Sequence, residues 1–107
     1  MASHASYLQF VLEQLSGLEE ITYRPMMGEY LLYYRGKLVG GIYDDRLLVK
    51  PSPAAAARLP EATYEAPYPG AKPMLLVDRP LDPAFLEDLF CAMYLALPDP
   101  GAKRKKL

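Results

Sequence analysis

Tyr30, Tyr34 and Tyr43 alternate with Lys37, Arg46 and Lys50 within a stretch of twenty-one residues. Rings interleaved with cations can stack bases and follow the phosphates of single-stranded nucleic acid. The same tyrosines, joined by Leu32, Val39 and Leu48, can also pack beneath a helix or against a second copy of the chain, with the long cations snorkelling at the rim. Stacking needs the rings in solvent, whereas packing needs them covered.

Catalytic chemistry has few carriers. His4 is the sole histidine and sits where chain ends fray. Cys91 is the sole cysteine and falls in an apolar helical pattern, so a buried, inert thiol is expected. One histidine and one cysteine cannot supply the three or four nitrogen and sulfur ligands of a zinc site. Asp44-Asp45 fits a hairpin turn better than a cation site, and the four serines all fall in helix termini or loops, away from any base. Carboxylates such as Glu19 and Glu20, or Glu87 and Asp88, are successive and form a solvated face. A non-enzymatic protein without metal or cofactor is therefore expected, and binding is the better reading.

The chain has 107 residues, enough for one domain with a real core, here expected over 1–98. Four of the twelve basic residues are Lys103, Arg104, Lys105 and Lys106, so 99–107 reads as a basic, disordered tail. Without those four, eight basic side chains face thirteen acidic ones, and the body repels phosphate overall. Nucleic-acid binding would then rest on the tail together with Lys37, Arg46 and Lys50. No apolar run reaches the length of a membrane helix and the N-terminus lacks a signal-peptide pattern, so no membrane partner and a cytoplasmic location are expected.

These side chains need elements to hold them. Residues 3–16 place Tyr7, Leu8, Val11, Leu12 and Leu15 at helical spacing, with Ser3 as N-cap and Gly17 as stop. Ile21 to Arg24 reads as a short strand that Pro25 ends. Three apolar runs follow, "EYLLYY", "LVGGIY" and "RLLVK", separated by "RG" and "DD", which predicts two consecutive hairpins. "PSPAAAARL" predicts a short helix capped by Ser52, "YPGA" a type II turn, "MLLV" a strand covered on both faces, and Asp82-Pro83 the start of a C-terminal helix. Leu81 and Leu86 are spaced for a hydrophobic staple there, and Leu86, Leu89, Phe90, Met93 and Leu97 make the buried stripe. The fold class is α+β: an antiparallel meander of about four to five strands, an N-terminal helix, a short middle helix and a C-terminal helix.

Strict alternation from two-residue turns sets Tyr30 opposite Gly41 and Leu31 opposite Gly40. It assigns Leu31, Tyr33, Leu38, Gly40, Ile42, Leu47 and Val49 to the core face. Tyr30, Leu32, Tyr34, Lys37, Val39, Gly41, Tyr43, Arg46, Leu48 and Lys50 go to the other face. The adjacent glycines read as packing space for bulky neighbours, since a phosphate-cradling loop would need them at a strand-to-helix turn.

The order "RPMMGEYLLYYRGKLVGGIYDDRLLVK … PYPGAKPMLLVD" resembles the N-terminal domain of the TfoX/Sxy proteins, a family associated with natural competence and transformation. Arg24, Met26, Met27 and Gly28 take the places of that family's motif, with Met27 where phenylalanine is usual. Tyr33, Gly36, Lys37, Leu47 and Lys50 match its later positions, whereas Asp44-Asp45 departs from its customary glycine turn. The resemblance implies an α+β domain with a regulatory or protein-interaction role linked to competence or transcription, and the partly apolar sheet face adds the expectation of a homodimer or another protein partner. Interface anchors are then expected at Tyr30, Leu32, Tyr34, Val39, Tyr43 and Leu48. The alternative is a nucleic-acid-binding protein using the tyrosine and cation face with the basic tail.

Overall fold

The structure, a computed structural model, describes residues 3–77 and 81–97. Helix α1 (Ala5–Gln14) buries Leu8 and Val11, and Leu15 just beyond it is buried too. His4, not Ser3, stands at its N-cap position and gives it no side-chain cap. Ser3 is drawn aside because its Oγ donates to Glu29 at 2.7 Å.

Strands β1 (Ile21–Met26), β2 (Glu29–Tyr34), β3 (Lys37–Tyr43) and β4 (Arg46–Val49) are joined by three two-residue turns. Met27-Gly28, Arg35-Gly36 and Asp44-Asp45 all have positive φ, the requirement of the mirror-image turns whose twist matches paired strands. The meander thus has three hairpins rather than two. β1 runs through Pro25, which pairs with Tyr30. An edge strand tolerates proline when its missing N–H would point away from the sheet.

Helix α2 (Pro53–Arg58) starts where Ser52 accepts a 3.1 Å hydrogen bond from the Ala55 amide. After it come β5 (Tyr64–Glu65), β6 (Met74–Leu76) and α3 (Pro83–Ala96). α3 is capped by Asp82, which accepts from the Phe85 amide at 3.2 Å. The six strands lie in the order β1-β2-β3-β4-β6-β5, every neighbouring pair antiparallel.

A β-bulge overturns the faces expected for β2 and the start of β3, while Ile42, Leu47 and Val49 lie on the core face as expected. Tyr34 pairs with Lys37 and Tyr33 with Leu38, but Leu32 then pairs with Gly40, Leu31 with Gly41 and Tyr30 with Ile42. Val39 is the extra residue, and one extra residue reverses which parity points inward along the rest of β3. Leu32, Tyr34, Val39, Ile42, Leu47, Val49, Leu75 and Val77 therefore join α1, α2 and α3 in one core cluster. Leu31, Tyr33 and Leu38, expected inside, are half-buried and outside that cluster. The glycines do supply space, but to different neighbours. A Cβ at Gly40 would sit 2.2 Å from the Leu48 carbonyl oxygen, and one at Gly41 would sit 2.7 Å from the Tyr43 ring.

Candidate functional site

With the described helices packed into a cluster on one side of the sheet, the opposite face has only loop cover. It carries Leu31, Tyr33, Leu38, Gly41, Tyr43 and Leu48. Tyr43 and Leu48 are buried there although neither belongs to the helix-side core. The cover includes the segment between β5 and β6: Pro67 is buried, and the Tyr68 ring centre lies 6.5 Å from that of Tyr43. Tyr68 to Ala71 forms the expected turn, with Gly70 at φ 88° and the Ala71 amide donating to the Tyr68 carbonyl at 3.1 Å.

Where this segment meets the β1–β2 and β3–β4 turns it leaves a groove of about 760 Å³. Met26, Met27 and Glu29 line it from one hairpin, Asp44 and Arg46 from the next, and Ala66, Pro67, Tyr68 and Pro69 from the loop. Its lining is largely apolar, as in most ligand and peptide grooves, with a few placed polar groups. Met27 is 93% exposed and holds φ 53°, a conformation that normally goes to glycine or asparagine.

The polar groups are held in place by the N-terminus. Glu29 Oε1 accepts from Ser3 Oγ and, at 3.1 Å, from the Asp44 amide. Ser3 Oγ accepts from the Asp45 amide at 3.0 Å, while the Ser3 amide donates to the Gly28 carbonyl at 3.1 Å. His4 completes the stitch: its amide and Nδ1 lie 2.8 and 2.6 Å from the two Asp45 carboxylate oxygens. The hydrogen bond to Asp45 raises the imidazole pKa, and the His4 backbone and side-chain hydrogen bonds lower that of Asp45. Burial, followed by Tyr68, Glu29 and Tyr33 nearby, raises the Tyr43 phenol. Among the described residues no cluster of His, Cys, Asp and Glu has a metal-binding arrangement.

The expected interface anchors are covered within the chain. Leu32, Tyr34 and Val39 are 5% exposed or less beneath the helices, Tyr30 packs half-buried against the same core, and Tyr43 and Leu48 lie buried on the opposite face. The bulge puts the six on two faces, so they do not form one surface.

The expected nucleic-acid contacts are similarly divided. Lys37 Nζ donates to the carbonyls of Tyr94 and Leu97 at 2.8 and 2.9 Å, closing the end of α3. Arg46 pairs with Glu65 and donates through Nε to the Tyr43 carbonyl. Lys50 is half-buried just after β4, and Lys103, Arg104, Lys105 and Lys106 lie outside the described residues. Cys91, expected to be buried, is exposed on α3 with Sγ 3.8 Å from the Tyr34 hydroxyl.

Of the motif Arg24, Met26, Met27 and Gly28, Arg24 projects from β1 in solvent, while the methionines line the groove and Gly28 completes the turn at φ 87°. Sequence reasoning missed Glu29, Pro67 and Tyr68 as their companions. The proline-rich "PYPG" run was the available signal, because a rigid turn can hold a ring over a sheet face.

A family model for the TfoX N-terminal domain matches residues 13–99. A protein of Spirochaeta aurantia, described as an uncharacterized 12.7 kDa protein in the trpE 5′ region, is 36% identical over 107 residues, covering 99% of this chain and 93% of that protein. No solved structure matches the chain.

Proposed function

The chain belongs to the TfoX N-terminal domain family, and on that premise we propose that it is a non-catalytic regulatory domain that binds a partner protein through the methionine–tyrosine groove. The observation that carries this reading is Met27. An almost fully exposed methionine occupies a left-handed turn position beside Met26, Tyr68 and the two prolines. Left-handed backbone costs a non-glycine residue about 1–2 kcal/mol, a cost the tight turn imposes equally at Arg35 and Asp44, so what sets Met27 apart is its exposure beside the groove. Methionine adapts its shape to apolar side chains, and tyrosine is a frequent interface anchor. The partner supplies an apolar anchor beside a cation, since exposed Asp44 at the groove has no side-chain hydrogen bond or ion pair among the described residues. The family's link to competence gives the regulatory context. The competing nucleic-acid reading is weakened because Lys37 and Arg46 are engaged within the fold.

A photo-crosslinking residue in place of Tyr68, used in the source cells, tests the proposal. It should yield one discrete protein adduct that disappears with Met27→Gly, a change that suits the turn. Absence of any adduct, or single-stranded DNA affinity that falls steeply with salt, overturns it in favour of the second reading.

A further inference from the structure

β1 is the terminal strand of the sheet, and its other edge meets no strand among the described residues. Its hydrogen-bonding pattern follows from the turn. Met26 and Glu29 close a two-residue hairpin, which makes Met26, Arg24 and Thr22 the residues bonded to β2. The Arg35 amide donating to the Glu20 carbonyl at 3.0 Å continues that parity. Ile21 and Tyr23 therefore turn their N–H and C=O groups outward, and Pro25, on the same parity, has no N–H to turn. Edges resist indiscriminate pairing with charges and prolines, and Arg24 and Pro25 serve that purpose here. Both nevertheless allow one register.

We propose that β1 pairs antiparallel with β1 of a second copy, about a two-fold axis at Thr22, so that the two six-stranded sheets become continuous. In this register Ile21 stands opposite Tyr23 of the second copy, and the reciprocal pair repeats it. The outward N–H and C=O groups of Ile21 and Tyr23 in both chains are all used, and Pro25 falls outside the bonded stretch. Thr22 meets its own copy at the axis, and Arg24 faces Glu20 of the second copy, which stands just before β1 with φ 61° and so meets Arg24 at the end of the paired stretch rather than within it. Aromatic with β-branched, threonine with threonine and cation with carboxylate are the three favourable cross-strand pairings. Shifting the two-fold by one residue toward Pro25 brings Pro25 into the bonded stretch and Arg24 opposite threonine. Shifting it the other way sets Arg24 opposite Leu18. The isologous contact closes on itself, as a two-fold dimer must. Ile21 lies five residues along the strand from Met26, roughly 17 Å from the groove end at about 3.3 Å per residue, so this contact and the groove can fail independently.

Sedimentation equilibrium of the full chain over a concentration series tests the register. The wild type should dimerise. Glu20→Arg and Arg24→Glu should each weaken dimerisation about tenfold, the effect of repelling charges at two symmetric pairs, and the double exchange should restore it. Tyr23→Pro removes an outward N–H without touching a β1–β2 bond and should abolish the dimer while circular dichroism shows the fold intact. A wild type that stays monomeric at millimolar concentration overturns the proposal. So does a dimer insensitive to Tyr23→Pro, or a double exchange no better than its single variants.

Discussion

Lys37 Nζ lies 4.0 Å from the centre of the Tyr94 ring and donates a 2.8 Å hydrogen bond to the Tyr94 carbonyl. With the second bond to Leu97, one ammonium group from the start of β3 satisfies two of the carbonyls that the end of α3 leaves unpaired. Lys37→Met keeps the stem but loses these bonds, and unfolding in urea should show a loss of about 1–3 kcal/mol. Because the ammonium is partly buried against a ring, raising salt should recover little of the difference between the two proteins.

The His4–Asp45 pair makes stability depend on pH from both sides. The His4 pKa is raised above 6.5 by folding, so its contribution is complete below that value and is lost as pH rises through the folded pKa. Asp45 is lowered from 3.8, so its contribution is complete above that value and is lost as pH falls through its folded pKa. The melting temperature of the wild type should exceed that of Asp45→Asn most between about pH 4 and 6.5, and the gap should narrow at higher pH. A gap that widens toward pH 9 contradicts this pairing.

Glycine substitutions should rank by what a Cβ meets. At Gly40 it meets the backbone of β4, with Leu48 O at 2.2 Å and Val49 Cα at 2.8 Å, where no side chain can swing aside. Gly40→Ala should cost at least about 3 kcal/mol or prevent folding. At Gly36 nothing lies within 4 Å and only the positive φ of 82° opposes alanine, so Gly36→Ala should cost about 1 kcal/mol. Equal losses in chemical denaturation would remove the bulge-imposed close approach as the cause.

Met27→Gly should stabilise the domain by about 1 kcal/mol, because it relieves a left-handed methionine that is in contact with solvent rather than the core. The same variant should bind partner more weakly. Higher melting temperature with unchanged partner affinity would leave the turn explained and the groove without a role for this residue.

Local signals were well represented in the chain. The caps at Ser52 and Asp82, the Pro69-Gly70 turn and the apolar stripe of α3 each depend on residues within a few positions of one another, and each forms as expected. The "RG" and "DD" turns form as well. The hairpin at Met27-Gly28 is masked in the sequence by Pro25, which reads as a terminator, but proline ends a strand only when its N–H is needed for pairing. The groove was half legible. Met26, Met27 and Gly28 stood out through the family resemblance, whereas their companions other than the adjacent Glu29 come from more than fifteen residues away and carry no shared local pattern.

The sequence by itself determined the α+β class, the helices, the antiparallel meander and the family. Tertiary structure alone decided which tyrosines are covered. Alternation in a strand has a period of two, so one extra residue at Val39 reverses the faces expected for β2 and the start of β3, while Ile42, Leu47 and Val49 keep theirs. Beside the bulge, Gly40 lets the β4 backbone come closer than any side chain would permit, a contact between segments that no local pattern records. The same bulge puts Tyr34 under the helices and leaves Tyr43 to the proline-rich loop.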